Sequence, residues 1–464
     1  MLRSALVVLS GNAATSLLLL ARNLLTARMI PLADYGVAAT FALMMAVVEM
    51  ASTFGLQQQI IQSRRGDEPH FQAALQGFQL IRGIFSGVIL FLIAGPMARF
   101  MAIPEVIWAY QLLAIVPVLT ALQHFDIHRM NRHMVFVPML LTGAVPALIS
   151  ILALWPLAMW FGDWQVLLYT ILLQAVLGTI VSHLVAERPW RLAFDPGIIA
   201  QSLRFGWPLL ANAILMFLIF QGDKMIVGRE LGMEMLAIFA MGLTLTLTPT
   251  LVIAKSVQNL MLPKLSAAEN SGSFARLGAI VFEVHVLLAC IMVFFTALFG
   301  HVVVATLLGS KYDMLTSLLV WLALQQGLRI SKGGPSMVAL SKGQTENAFI
   351  ANMMRIALIP LAWFIVVRGG DILTVVQIGI CGELAGLIVA LGLQRWRQSI
   401  HLSPILPMLL FALSAMALST AWVEMRDQSW LLCLAGVFTS LSALCSRDLL
   451  YALIRQKNNL PDRR

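Results

Sequence analysis

Charge is scarce in this chain of 464 residues: Asp, Glu, Lys and Arg together make up 11% of it, against about 25% in soluble domains. With 59% hydrophobic residues and a mean hydropathy of +0.86, that scarcity excludes a soluble protein and leaves the integral-membrane class. Cysteine is scarce as well. Cys290, Cys381, Cys433 and Cys445 lie in apolar runs with no CxxC pair, so neither a disulfide framework nor a thiolate metal site follows from them. The chain lacks a Walker A loop and a nucleophile elbow, which excludes P-loop ATP chemistry and acyl chemistry of that kind. Long loops are missing too. The longest runs only from Glu187 to Gln201, with Arg-Pro-Trp and Asp-Pro-Gly turns, and no segment can fold as a soluble domain.

Long apolar runs are what the chain has. At about 20 residues per span, fourteen occur: 5–30, 36–61, 73–100, 106–125, 134–160, 164–186, 204–228, 235–262, 276–304, 313–341, 345–368, 373–395, 403–423 and 429–453. The first could be a signal peptide, but it has no small-residue cleavage site and thirteen runs follow, so a retained helix is expected. The expected fold is an all-α integral membrane protein of about 14 transmembrane helices.

The short loops set the orientation. With a cytoplasmic N-terminus, the cytoplasmic side collects Arg3, Arg64, Arg65, Arg129, Arg132, Arg188, Arg191, Arg204, Lys264, Arg276, Lys342, Arg395, Arg397, Arg455, Lys457, Arg463 and Arg464. The opposite side holds only Arg28, Arg99, Arg229, Lys311, Arg368 and Arg426. Seventeen cations against six is the asymmetry of the positive-inside rule. Both termini are therefore expected in the cytoplasm. The net charge of +9 reports this bias and points to a membrane face, with no nucleic-acid partner.

A weak internal repeat accompanies this pattern. Ala27-Arg28 and Asp34 to Ala38 fall over Gly228-Arg229 and Met235 to Phe239 at a shift of 201 residues, and the same shift sets Gln57-Gln58 over Gln258-Asn259. Six spans per half then give two pseudo-symmetric lobes in one orientation, 1–186 and 204–395, with a cytoplasmic linker at 187–203. Residues 396–464 add a helical hairpin and a basic tail. A substrate path is expected between the halves.

Eleven charged residues lie deep inside the apolar runs: the cations Arg22, Arg82, Lys224, Lys255, Arg329, Lys332 and Arg355, and the acids Glu49, Asp223, Glu283 and Glu383. Each costs roughly 2.5–3.5 kcal/mol at the centre of a lipid-facing helix, on the order of 30 kcal/mol together. They must face a bundle interior or an aqueous cavity. Cations outnumber acids, so the occupant expected there is anionic, and guanidinium groups suit phosphate oxygens in particular.

The residues leave several assignments open. Arg22 lines the cavity or pairs with Glu49 on the second span; Glu49 could also titrate in proton or cation coupling. Arg82 has the same two choices as Arg22. Arg28, close to a span end, is expected to snorkel, and Lys255 could do so. Asp223 and Lys224 project about 100° apart, so one can line the cavity while the other packs laterally. Arg329 and Lys332 share a helical face. Glu383 either pairs with one of them or joins them and Arg355 in a second basic patch. Glu283 and His285 read as interfacial. His124, Asp126, His128 and His133 suggest a metal by spacing, but with Arg129 and Arg132 beside them a solvated basic turn is expected. Pro138, Pro146, Pro156, Pro208, Pro249, Pro335 and Pro360 mark candidate bends, with Gly333-Gly334-Pro335 the best hinge candidate.

Two stretches carry a family resemblance. Ala21 to Arg28 leading into Asp34-Tyr35-Gly36, with Phe54-Gly55-Leu56-Gln57, resembles the N-terminus of bacterial polysaccharide flippases of the Wzx or polysaccharide-transporter type. Gln221-Gly222-Asp223-Lys224-Met225-Ile226-Val227-Gly228 resembles their seventh span. The superfamily includes lipid II flippases and multidrug and toxin extruders. The resemblance implies two six-helix lobes around a central cavity, alternating access, a bacterial inner-membrane location and an undecaprenyl-pyrophosphate-linked oligosaccharide as cargo. Polymerases and glycosyltransferases of the same pathway would be its partners, and no bound cofactor is implied beyond proton or cation coupling. A cation-coupled exporter of the same superfamily would favour an acidic cavity, against the count here. A membrane polymerase or ligase would need a substantial outer loop, which is missing.

Overall fold

The computed structural model describes residues 2–52, 55–268, 271–398, 405–446 and 448–451, with the side chains of 2–13, 48–52, 205, 208–209, 211–212 and 271 left aside. The side chains of Arg3 and Glu49, and the residues Phe54, Arg447, Arg455, Lys457, Arg463 and Arg464, therefore lie outside the described residues. The helices are α1 (Leu2–Met29), α2 (Leu32–Ser52), α3 (Leu56–Gln62), α4 (Pro69–Phe100), α5 (Ile107–Leu113), α6 (Ile115–Ala121), α7 (Asp126–Arg132), α8 (Val137–Leu152), α9 (Leu154–Trp160) and α10 (Gln165–Leu184). They continue as α11 (Pro196–Ile226), α12 (Met233–Ser266), α13 (Ser271–Leu307), α14 (Leu315–Ser341), α15 (Glu346–Ala357), α16 (Ile359–Val367), α17 (Ile372–Gln398), α18 (Leu406–Glu424) and α19 (Ser429–Cys445). No strand occurs among the described residues.

Each of the fourteen apolar runs overlaps one helix or an interrupted pair. By length and composition, nine helical stretches among the described residues can cross a membrane, and Leu32–Val47 and Ser429–Cys445 are shorter apolar helices. The interruptions have a common cause. Ala114, Ala153 and Leu358 separate α5 from α6, α8 from α9 and α15 from α16, with Pro117, Pro156 and Pro360 just beyond. A proline has no N–H for the helical ladder, and its ring crowds the carbonyl four residues back. Pro146, Pro249 and Pro335 nonetheless sit inside unbroken helices. At the expected hinge α14 runs on, and Gly333 and Gly334 lie against His285 and Phe282 of α13. Gly55 enters α3 with φ of 67°, a left-handed conformation open to glycine at little cost.

The chain divides into two compact units, Met1–Ala237 and Ile238–Arg464. The packing boundary thus falls downstream of the 187–203 linker, because α11 packs on α2, α3 and α4. In the first unit Phe41 meets Tyr110 and Trp164 edge-on, and the buried Tyr110 hydroxyl donates to Thr40 Oγ1. In the second, Phe282, Val286, Ala289 and Val293 of α13 pack with Ala323 and Leu328 of α14 and with Met408, Ala412 and Met416 of α18. The α18–α19 hairpin therefore belongs to this core.

The turn at His124 is buried, not solvated as expected: Asp126 is fully buried, and His124 and His128 nearly so. Asp126 draws the turn in. Its carboxylate accepts from Arg129 Nε and from the backbone N–H groups of Glu187 and Arg188 at 3.0 and 3.2 Å, tying α7 to the linker. Among the described residues no group of three or more His, Cys, Asp or Glu could hold a metal. Burial opposes ionisation of Asp126, but Arg129 and the two N–H groups outweigh it and hold the carboxyl below its usual range. Its contribution to stability is therefore fully present above about pH 4 and is lost as pH falls through the lowered folded value. Asp126→Asn should flatten the acid limb of a thermal-stability profile measured in detergent. Gly36 lies so close to the Met233 carbonyl that no Cβ fits. Gly36→Val should cost about 1–3 kcal/mol by overpacking, read as a lowered unfolding temperature.

Candidate functional site

The row Gly379-x-x-Gly382-Glu383-x-x-Gly386 places three glycines and a carboxylate on one face of α17. Absent side chains let its neighbours come close. A Cβ on Gly382 would crowd Cα and Cδ of Arg355 on α15, and one on Gly386 would meet the Ala351 carbonyl and the Lys332 side chain. A Cβ on Gly379 would collide with the Gln325 amide and approach Arg355 Nη2 at 3.2 Å. On α14, Gln325, Arg329 and Lys332 share a face by their i, i+4, i+7 spacing.

Glu383, fully buried, joins the helices. Arg329 donates to its Oε1 through Nε at 2.9 Å and Nη2 at 2.7 Å, and Lys332 Nζ donates to its Oε2 at 2.7 Å. Arg329 Nη1 donates to Gln326 Oε1 at 3.1 Å. Glu383 thus pairs with both α14 cations, whereas the sequence suggested either one pairing or a basic patch. Arg355 lies nearby on α15, so among the described residues three cations stand close to this carboxylate. Access is graded: the Arg329 side chain keeps 16% exposure, Lys332 7% and Glu383 none. An anion entering the cluster would meet Arg329 first, and a guanidinium can present two parallel N–H groups to a phosphate.

The other expected residues are not part of this cluster. Arg22 of α1 is buried, and its Nη1 donates to Gln174 Oε1 on α10. Its described partner is thus a neutral amide, while the side chain of its suggested partner Glu49 lies outside the described residues. Arg82 is half-buried on α4 beside Gly83, the glycine that admits Ala121 of α6. Asp223 is buried near the end of α11 and Lys224 is half-buried, as adjacent positions pointing apart would be. Lys255 is exposed on α12 among exposed Leu251 and Val252. Glu283 and His285 are buried rather than interfacial: Glu283 Oε2 accepts the Leu449 N–H at 2.8 Å, and His285 Nδ1 lies 2.7 Å from the Val281 carbonyl. Gln174, Gln325, Gln326 and the α17 glycines were not singled out from sequence. The Gly-x-x-Gly-Glu-x-x-Gly spacing was the available signal.

Solved structures share this multi-pass helical fold. The chain is similar to lipid II flippase MurJ in an inward closed conformation, with a TM-score of 0.69 and 14% identity over 97% of this chain and 100% of that one. It is also similar to an inward-facing multidrug resistance MATE family transporter of the MOP superfamily, with a TM-score of 0.66 and 17% identity over 83% and 94% of the two chains. The chain belongs to the polysaccharide biosynthesis protein family, which matches residues 25–317. A curated relative is the amylovoran biosynthesis protein AmsL of Erwinia amylovora, 26% identical over 180 residues. That match spans 38% of this chain and about half, 46%, of the relative.

Removing one member of a buried ion cluster strands the others. Glu383→Ala should cost about 3–5 kcal/mol, seen as a fall in the unfolding temperature of the detergent-purified protein. Pairing it with Lys332→Met should recover part of that loss, since an apolar replacement leaves fewer uncompensated charges.

Proposed function

We propose that this protein is a flippase that moves an undecaprenyl-pyrophosphate-linked oligosaccharide from the inner to the outer leaflet of a bacterial cytoplasmic membrane, for assembly of a surface polysaccharide. The observation that carries the reading is the excess of buried cations around Glu383. Among the described residues, the partly exposed Arg329 and the buried Lys332 and Arg355 stand beside this one carboxylate. A lipid-linked diphosphate has negative charge that cannot cross hydrocarbon unaided, and Arg329 is placed to receive it. Gln325 and Gln326 supply uncharged polar groups beside it for sugar hydroxyls.

Family membership supports a role in polysaccharide biosynthesis, and the amylovoran relative favours an exopolysaccharide or similar surface polymer. Under this reading the lipid tail stays in the bilayer, transport proceeds by alternating access with both termini cytoplasmic, and the pathway's glycosyltransferases and polymerase act before and after. Proton or cation coupling, or consumption of the product outside, would supply direction. Arg22, Arg82, Lys224 and Lys255 are proposed as further contacts for the anionic cargo, with Glu49 and Asp223 balancing charge.

The test is the leaflet distribution of undecaprenyl-linked repeat units in cells lacking this protein, read in spheroplasts with a membrane-impermeant sugar-modifying reagent. Completed units should be trapped on the cytoplasmic face. Wild-type protein should restore outward movement, and Arg329→Gln should restore it at least about tenfold less well, the loss of one charge-assisted hydrogen-bonded contact. Units accumulating outside would instead indicate a polymerase or ligase. No accumulation on either face would overturn the glycolipid assignment.

A further inference from the structure

We propose that a cavity in the first unit, where the extended 188–194 segment lies along α4, is a binding site for a small phosphate-bearing anion held by His124, Arg188 and Arg191. The cavity has a volume of about 230 Å³, and Gln72 and Gln76 of α4 line it together with those three side chains. None of its lining residues is acidic. The volume falls short of the roughly 300–1,000 Å³ of pockets for drug-sized ligands, so the occupant is a head group rather than a whole nucleotide.

The segment is held in place over the cavity. Ala193 N–H donates to the Ala73 carbonyl at 3.0 Å, and Gly77 leaves room for the Ala193 carbonyl where a Cβ would otherwise sit. Arg188 is fixed by Nη1 donating to Gln72 Oε1 at 2.9 Å and Nη2 donating to the Asp67 carbonyl at 3.0 Å. Those bonds engage two of the five N–H donors of a guanidinium and set its plane. Arg191 is exposed at the rim.

His124 supplies the observation that points to a ligand. It is 3% exposed, and its Nδ1 accepts the Asp126 N–H at 3.1 Å. Burial, against the pull of Asp126, keeps the ring below the usual histidine value and hence neutral. A neutral ring that accepts at Nδ1 carries its proton on Nε2. That Nε2 is buried facing the Arg188 main chain, which engages its proton only weakly, short of full hydrogen-bond geometry. A buried donor so weakly engaged is available to an anion oxygen in the cavity. One donor, two guanidinium groups and no carboxylate select an anion with several oxygens. Phosphate chemistry fits, whether as the head group of an anionic lipid or as a free phosphate or diphosphate.

The site is separate from the Glu383 cluster and stands whether or not the flippase reading does. Its test is calorimetric titration of the purified full-length chain in detergent with sodium pyrophosphate at constant ionic strength. Saturable binding is expected, weakened about tenfold or more by Arg191→Gln and by His124→Gln. Arg191 is exposed, so its substitution leaves the fold intact. Repeating the titration in discs of phosphatidylglycerol and of phosphatidylcholine separates the sources. Weaker pyrophosphate binding in the anionic discs supports the site with a lipid head group as occupant, and equal binding supports it with a soluble one. An absence of binding, or binding indifferent to both variants, would overturn the proposal.

Discussion

Two helices of the second unit, α14 and α17, are joined by one carboxylate, Glu383, shared between Arg329 and Lys332, and Arg355 of α15 packs beside it against Gly382. Buried in a membrane protein, none of these charges could be kept alone, since the cost of an unpaired ion in hydrocarbon is several kcal/mol. Sharing reduces that cost but does not cancel the charge. The cluster forms where α17 presents glycine to the approaching α14 and α15. Packing and electrostatics are therefore one constraint here. The glycine row makes the close approach possible, and the approach makes the ion pairing possible.

The first unit uses the same economy of charge at its basic face. Asp126 is buried there and closes the α7 turn onto the linker through Arg129 and two backbone N–H groups. Gln76, on α4, receives the Phe125 N–H at 2.8 Å and donates to the Ala121 and Gln123 carbonyls, each at 3.2 Å. Uncharged amides thus satisfy the backbone groups freed where α6 ends, as helix ends require. The result is an ordered segment over a small, positively charged cavity, in a region whose sequence reads as an ordinary basic loop.

Much of the fold was legible because hydrocarbon imposes a coarse rule. A spanning helix needs about 20 apolar residues, and every run of that kind overlaps a helix or an interrupted pair. The interruptions were partly legible too: Pro156 and Pro360 stand beside two of them. Pro335 behaves differently, because the neighbouring helix α13 packs Phe282 and His285 against Gly334 and Gly333 and α14 stays continuous. Local chemistry marks where a helix can break, and tertiary contacts decide whether it does.

The sequence by itself determined the membrane class, the helical architecture and the presence of an excess of interior cations, since each follows from counting residues against the cost of placing them in lipid. Only the tertiary structure decided which charges meet. Arg329 and Lys332 announce a shared face by their spacing, but Glu383 and Arg355 lie on other helices, and helical periodicity carries no information about partners across a bundle. Arg22 shows the same limit: its hydrogen bond to Gln174 joins positions 152 residues apart. His124 and Asp126 pass from an expected solvated turn to a buried one for the same reason, because what covers them, the segment from Glu187 onward, is distant in the chain and adjacent only once it is folded.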